Sequence, residues 1–231
     1  MIIEVRNKTS EFNSYRAQRV KSLFNAESGS EFSLDANLDI DKDEWQIGLI
    51  VGPSGSGKTS IGRKLFGGGK IIDLYSGWDS SVPIIDAIAP GGSFDMVTGA
   101  LANVGLGDVP SWLRPFNALS NGQQFRAGLA RLIADAPGDV IVDEFTSVID
   151  RQIAKIGAMA FSKGWRRNKG KRVVLLACHY DIIEWLQPDW VFDTGTNTLK
   201  KANSSSEDRS LSWKLGRSTS LTGNILSRIT I

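Results

Sequence analysis

The chain has 231 residues, 41% hydrophobic and 23% charged, with a net charge of +2. This is an ordinary globular composition, and too near neutral to argue for a polyanion or a membrane surface as partner. No run approaches the roughly 18 apolar residues a membrane span needs, and the single Cys178 excludes an internal disulfide. The opening MIIEVRNKTSEF lacks the basic-then-apolar order of a secretory signal, so a cytoplasmic location and no membrane insertion are expected.

Residues 2–6 and 32–40 alternate apolar and polar positions, as half-exposed antiparallel strands do. Between them, Glu11 to Ser30 is polar with scattered aromatics and reads as a loop or a strand pair. The apolar run Ile47 to Val51 reads as a buried strand, and Ser60 to Phe66 as the opening of a helix. Lys70 to Leu74 is a short strand, followed by Gly, Ser and Pro punctuation through residue 92. Ser93 to Val104 has helical spacing with Ser93 as N-cap; Pro110 and Pro115 bracket a loop or short helix; Asn121 to Ala136 is a longer helix. Val140 to Val142 is a buried strand, Asp150 to Arg167 a helix, and Arg172 to Cys178 another buried strand enclosing the thiol. Tyr180 to Leu186 is a short helix, and Trp190 to Asp193 with Thr198 to Lys200 forms a closing hairpin. Strands alternating with helices predict an α/β fold with a mainly parallel sheet.

Between the strand at Ile47 and the helix at Ser60 lies Gly52-Pro53-Ser54-Gly55-Ser56-Gly57-Lys58-Thr59, the phosphate-loop pattern of Gly, four residues, Gly, Lys, Ser or Thr. Strand, glycine loop and helix let successive backbone N–H groups converge on phosphate oxygens. Lys58 would bridge the β- and γ-phosphates, and the Thr59 hydroxyl would ligate Mg²⁺. The buried strand at Val140 delivers Asp143 and Glu144 at its tip, where Asp143 can hold the metal and Glu144 can polarise an attacking water. A solvated acid pair at a strand end is the alternative for these two carboxylates.

Upstream, Leu119-Ser120-Asn121-Gly122-Gln123 precedes an amphipathic helix, and a serine hydroxyl, a glycine and free helix-start amides make an anion site. Here the chain resembles the ABC ATPase superfamily, whose signature is Leu-Ser-Gly-Gly-Gln; Asn121 departs from the usual glycine. The resemblance runs over about residues 2–200 and rests on motifs in the family's order. It implies a P-loop NTPase fold with an N-terminal antiparallel β subdomain and a small helical subdomain at about 83–136. It further implies that Ser120 and Gly122 reach the γ-phosphate of ATP held by an opposite subunit. Phe145-Thr146-Ser147-Val148-Ile149-Asp150 resembles the family's Ser-Ala-Leu-Asp loop, which puts Ser147 and Asp150 at a dimer interface. His179, the sole histidine, lies 35 residues beyond Glu144 and matches the family's switch histidine.

Two pieces depart from the family. The adenine-stacking aromatic would be Phe24, 28 residues before Gly52, with Tyr15 as the alternative. The loop of residues 74–83 holds no glutamine to sense Mg²⁺ and couple to a partner; Asp79 is the nearest substitute. Only 67 residues separate Gly52 from Leu119, short for a transporter subunit. The resemblance therefore implies a soluble branch, loosely similar to ATPases linked to an acetyltransferase-like domain. Residues 1–201 are expected to form the ATPase domain. Residues 202–231, Ser/Thr-rich and basic, are expected to be a disordered tail, with docking to a partner or a polyanion such as nucleic acid as the alternative. Together these imply a Mg-ATP hydrolase in a head-to-tail homodimer that drives a partner protein. Its rivals are a transporter's nucleotide-binding subunit and an ATP-gated clamp.

Overall fold

The computed structural model describes residues 2–8, 13–25, 31–40, 44–68 and 71–202. Strands β1 (Ile2–Lys8) and β2 (Glu31–Asn37) pair antiparallel in a sheet of their own. Between them runs helix α1 (Tyr15–Phe24). The principal sheet is built from β3 (Ile47–Val51), β4 (Ile71–Ile72), β5 (Val140–Val142), β6 (Val173–Ala177), β7 (Trp190–Asp193) and β8 (Thr198–Lys201). Their spatial order is β4-β5-β6-β3-β7-β8, parallel throughout except for the β7–β8 hairpin. The remaining helices are α2 (Lys58–Lys64), α3 (Ile84–Ala87), α4 (Phe94–Asn103), α5 (Val109–Trp112), α6 (Asn121–Asp135), α7 (Arg151–Trp165) and α8 (Ile182–Leu186).

Strands β3, β5 and β6 are buried at every position because both faces of the sheet are covered there. Side-chain alternation sorts them. Leu49, Val51, Val142, Leu175 and Ala177 face a core shared with α4, α6 and α7. Ile50, Ile141, Val174, Leu176 and Phe192 face a second core with Ile61 of α2 and Ile3, Val5 and Ala36 of the small sheet. In the first core a run of rings crosses three elements. Phe125 of α6, Phe145 after β5, and Phe161 and Trp165 of α7 have successive centroid separations of 5.9, 6.0 and 5.5 Å. In α7 the buried Ala154, Gly157, Ala158, Phe161 and Trp165 recur at helical spacing, and Asp150 caps its start by accepting from the Gln152 and Ile153 amides.

The sheet and most helices lie where the sequence predicts them, α4 with its Ser93 cap included. The clear difference is α1, in a stretch read as loop or strand pair. Its start is set by the Ser14 side chain accepting from Ala17 N and its end by Asn25 in the left-handed region, while none of its residues is buried. A helix that packs no face against a core carries no apolar period to read. The strand expected at Lys70–Leu74 contracts to Ile71–Ile72, and Lys70 lies outside the described residues. The expectation for the tail lies outside them too, save for Ala202. No described helix is long and apolar enough to cross a membrane.

Replacing Phe161 with Ala, at the fully buried middle of the ring run, should lower stability by about 3–5 kcal/mol in urea unfolding. A loss under about 1 kcal/mol would mean that the rings merely neighbour one another.

Candidate functional site

Because β3 lies between β6 and β7 and all three are parallel, their C-terminal tips emerge side by side. Ligands of open α/β sheets bind at such carboxyl edges. The Gly52–Thr59 loop leaves β3 and enters α2, so Lys58, Thr59 and Ser60 are the first three residues of that helix. Gly57 caps α2 with φ 87°, a left-handed angle that glycine adopts without steric cost and that turns the loop onto the helix axis. The Lys58 side chain is buried, and its ammonium donates to the carbonyls of Gly52 at 2.9 Å and Pro53 at 2.7 Å. Among the described residues, a buried cation is thus held at the loop's mouth by two neutral carbonyls. Ser54 and Gly55 are exposed at the turn, and Ser56 Oγ donates to the Pro53 carbonyl at 2.7 Å.

Beyond β5 the chain makes a tight turn. Asp143 Oδ1 accepts from Glu144 N at 2.9 Å, and the Glu144 side chain is exposed. Glu144 and Thr146 have φ of 51° and 67°, left-handed values unusual for residues with a Cβ. Such strain, about 1–3 kcal/mol per residue, persists only where the surroundings hold it. The hold is visible: Phe145 N donates to the Leu176 carbonyl at 2.8 Å, and the Phe145 ring is locked in the core. Ser147 Oγ is buried without a partner in this structure, and Asp150 caps α7. His179 is exposed two residues past the end of β6.

At the start of α6, Ser120 and Gln123 form a capping box: Ser120 Oγ accepts from Gln123 N at 3.4 Å, and Gln123 Oε1 accepts from Ser120 N at 3.0 Å. Gln123 also donates to Ser111 Oγ at 2.8 Å, tying α6 to α5. Asn121 is exposed; a Cβ on Gly122 would stand 2.9 Å from Ile153 Cδ1, so its bare backbone lets α6 approach α7. The loop that lacks a glutamine is held by Trp78, whose ring stacks on Phe116 at 4.2 Å and lies under the Arg131 guanidinium at 4.8 Å. In that loop Asp79 accepts from Ser81, which holds its carboxyl below the usual range. Phe24 and Tyr15 are both three-quarters exposed at opposite ends of α1, with no described contact to the phosphate loop.

No family model matches the chain. The solved dimeric post-hydrolysis state of the ATP-binding cassette MJ0796 bound to ADP and Pi superposes with a TM-score of 0.58 at 16% identity, over 87% of this chain and 98% of that one. The dimeric MJ0796 bacterial ABC transporter cassette gives 0.56 at 17% identity over the same shares. The chain has the fold of an ABC-type ATP-binding cassette. Among curated proteins, the phosphonates import ATP-binding protein PhnC 1 of Synechococcus sp. is 24% identical over 213 residues, spanning 71% of this chain and 79% of that protein. The methionine import ATP-binding protein MetN 2 of Acinetobacter baylyi is 36% identical over 66 residues, or 29% of this chain and only 19% of that relative's length.

In this chain the sheet edge also brings in residues that the sequence does not single out. Thr194, just past β7, has its hydroxyl 2.5 Å from Ser56 Oγ although 138 residues separate them. Tyr180, beside His179, donates to Asp193 Oδ1 at 2.9 Å. Neither contact has a local sequence signal, because each depends on the spatial order β6-β3-β7.

Burial, and then the Asp193 carboxylate, push the Tyr180 phenol up to about 12. A tyrosine raised in the folded state contributes stability that is present below its ordinary value near 10 and lost as pH climbs toward 12. The stability gap between the wild type and Tyr180→Phe should therefore narrow over that interval in alkaline unfolding. A gap that stays constant would show that the phenol titrates normally.

Proposed function

We propose that the chain is an ATPase of the ABC class that binds Mg-ATP in a head-to-tail homodimer and uses turnover to drive a partner protein. The observation that carries this reading is the buried Lys58 ammonium at the mouth of a β3–loop–α2 unit, on the edge where the β5 and β6 tips also emerge. In this reading the amides of Gly55 to Thr59 hold the phosphates, with Pro53, Ser54 and Ser60 shaping the cradle. The lysine ammonium moves from neutral carbonyls to phosphate oxygens, a stronger charge-assisted exchange. From the facing subunit come Ser120, Asn121, Gly122 and Gln123, a capped helix start whose remaining amides suit an anion. Ser147 and Asp150 lie between the subunits, and Phe24 receives the adenine.

The donor set suits Mg²⁺. A hydroxyl from Thr59 and a carboxylate from Asp143 are hard oxygen ligands, and this ion is commonly held by one or two carboxylates together with substrate phosphates. When bound there, it supplies charge neutralisation across the phosphate oxygens. Glu144 orients the attacking water and accepts its proton, aimed by its left-handed backbone. His179 meets the γ-phosphate.

A second reading, the nucleotide-binding subunit of an importer, is favoured by the likeness to two import ATP-binding proteins. Against it stands the loop of residues 74–83, which holds no glutamine and is braced internally by Trp78 and Arg131.

Both readings are tested by light scattering on Glu144→Gln protein with Mg-ATP. The expected result is a doubling of mass with ATP and not without it, beside a slowly hydrolysing wild type. A variant that stays monomeric while binding ATP, or that turns over ATP as fast as the wild type, would contradict the composite site.

A further inference from the structure

The tip of β7 is tied to the phosphate loop on one side and to the His179 turn on the other. Thr194 is buried at 8% exposure. Its main-chain N–H donates to the Val51 carbonyl at 2.9 Å, and its hydroxyl donates to the same oxygen at 3.1 Å. The hydroxyl also lies 2.5 Å from Ser56 Oγ, whose own hydrogen goes to the Pro53 carbonyl, so the threonine hydrogen is shared between Val51 O and Ser56 Oγ. A Cβ built on Gly52 would stand 2.0 Å from Thr194 Oγ1, so the loop's first residue is bare where the threonine presses on it. One residue earlier, Asp193 Oδ1 accepts from the Tyr180 phenol at 2.9 Å and from Gly195 N at 2.8 Å. Around Gly195 the segments converge: the position of an added Cβ lies 3.4 Å from Tyr180 Oη and 3.5 Å from Pro53 Cδ.

We propose that Thr194 is a positioning residue for the phosphate loop. Its hydroxyl fixes the first turn of the loop on the end of β7, and the adjoining Asp193–Tyr180 bond ties that turn to the segment carrying His179. The inference rests on the nucleotide-binding reading above and adds a residue to it. What the brace supplies is order before binding. Amides cradle phosphate well when the loop is already set, and each degree of freedom left to the loop is lost on binding, at a cost to affinity. Replacing Thr194 with Val keeps shape and volume. The Val51 carbonyl keeps its main-chain donor, so the β3–β7 ladder survives, and the hydroxyl's contacts with Ser56 Oγ and the Val51 carbonyl are removed.

The test is the affinity of the full chain for Mg-ATP, measured by calorimetry in the wild type, Thr194→Val, Thr194→Ser, Ser56→Ala and the Thr194→Val/Ser56→Ala pair, with Lys58→Ala as control. Thr194→Val should weaken binding about fivefold, the scale of one intramolecular hydrogen bond. Thr194→Ser should restore it, and Ser56→Ala combined with Thr194→Val should fall short of additivity, since both remove the Thr194–Ser56 contact and Ser56→Ala removes in addition only the bond to the Pro53 carbonyl. The rise in Kd should exceed any fall in kcat, and the unliganded thermal midpoints should stay close together.

Wild-type affinity in Thr194→Val, failure of serine to rescue, or full additivity of the pair would overturn the assignment. If Thr194→Val does not fold, unaltered affinity in Ser56→Ala overturns it equally. Should the wild type bind no ATP, the nucleotide reading fails and the brace with it. Should only Lys58→Ala lose binding, the brace alone fails.

Discussion

The placement of β3 between β6 and β7 is the constraint on which the rest depends. Parallel pairing on both sides forces three chain segments, distant in sequence, to leave the sheet at one edge. That register brings the Gly52–Thr59 loop, the His179 turn and the Thr194 turn within reach of one another. Buried parallel strands tolerate no slip, because a shift by one residue would exchange the two faces of every strand. The apolar cores on both sides therefore fix the geometry of a polar edge.

Stability and proposed chemistry are connected through the tip of β5. The ring of Phe145 is anchored between Phe125 and Phe161, and this anchor holds Glu144 and Thr146 at left-handed angles. The core thereby supplies the energy that keeps a strained turn in place and aims an exposed carboxylate. The same helices hold the signature-like segment. The Ser120–Gln123 capping box fixes the start of α6, and Gly122 allows α6 to sit close to Ile153 of α7. A single aromatic core thus sets two loops that the proposed dimer would place on opposite nucleotides.

Much of this was legible in the sequence because it is local. Val140 to Val142 and Trp190 to Asp193 are runs whose burial shows in composition alone, and the Gly52–Thr59 pattern specifies its own strand and helix context. Ser93 and Ser120 announce helix starts through chemistry within three residues. Helix α1 was not legible, since its caps act without a buried face. Thr194 and Tyr180 were not legible either, because a hydrogen bond across a sheet edge leaves no trace until strand order is known. The adenine contact is in the same position: Phe24 is exposed at the end of α1 and nothing local chooses between it and Tyr15.

The measurement that bears most directly on the account is backbone hydrogen exchange across residues 52–60, with Mg-ATP and with adenosine. ATP should slow exchange at the amides of Gly55 through Thr59, and adenosine, which has no phosphate, should leave them unchanged. Unaltered exchange in that loop under saturating ATP, or equal protection by adenosine, would contradict a phosphate site at the tip of β3.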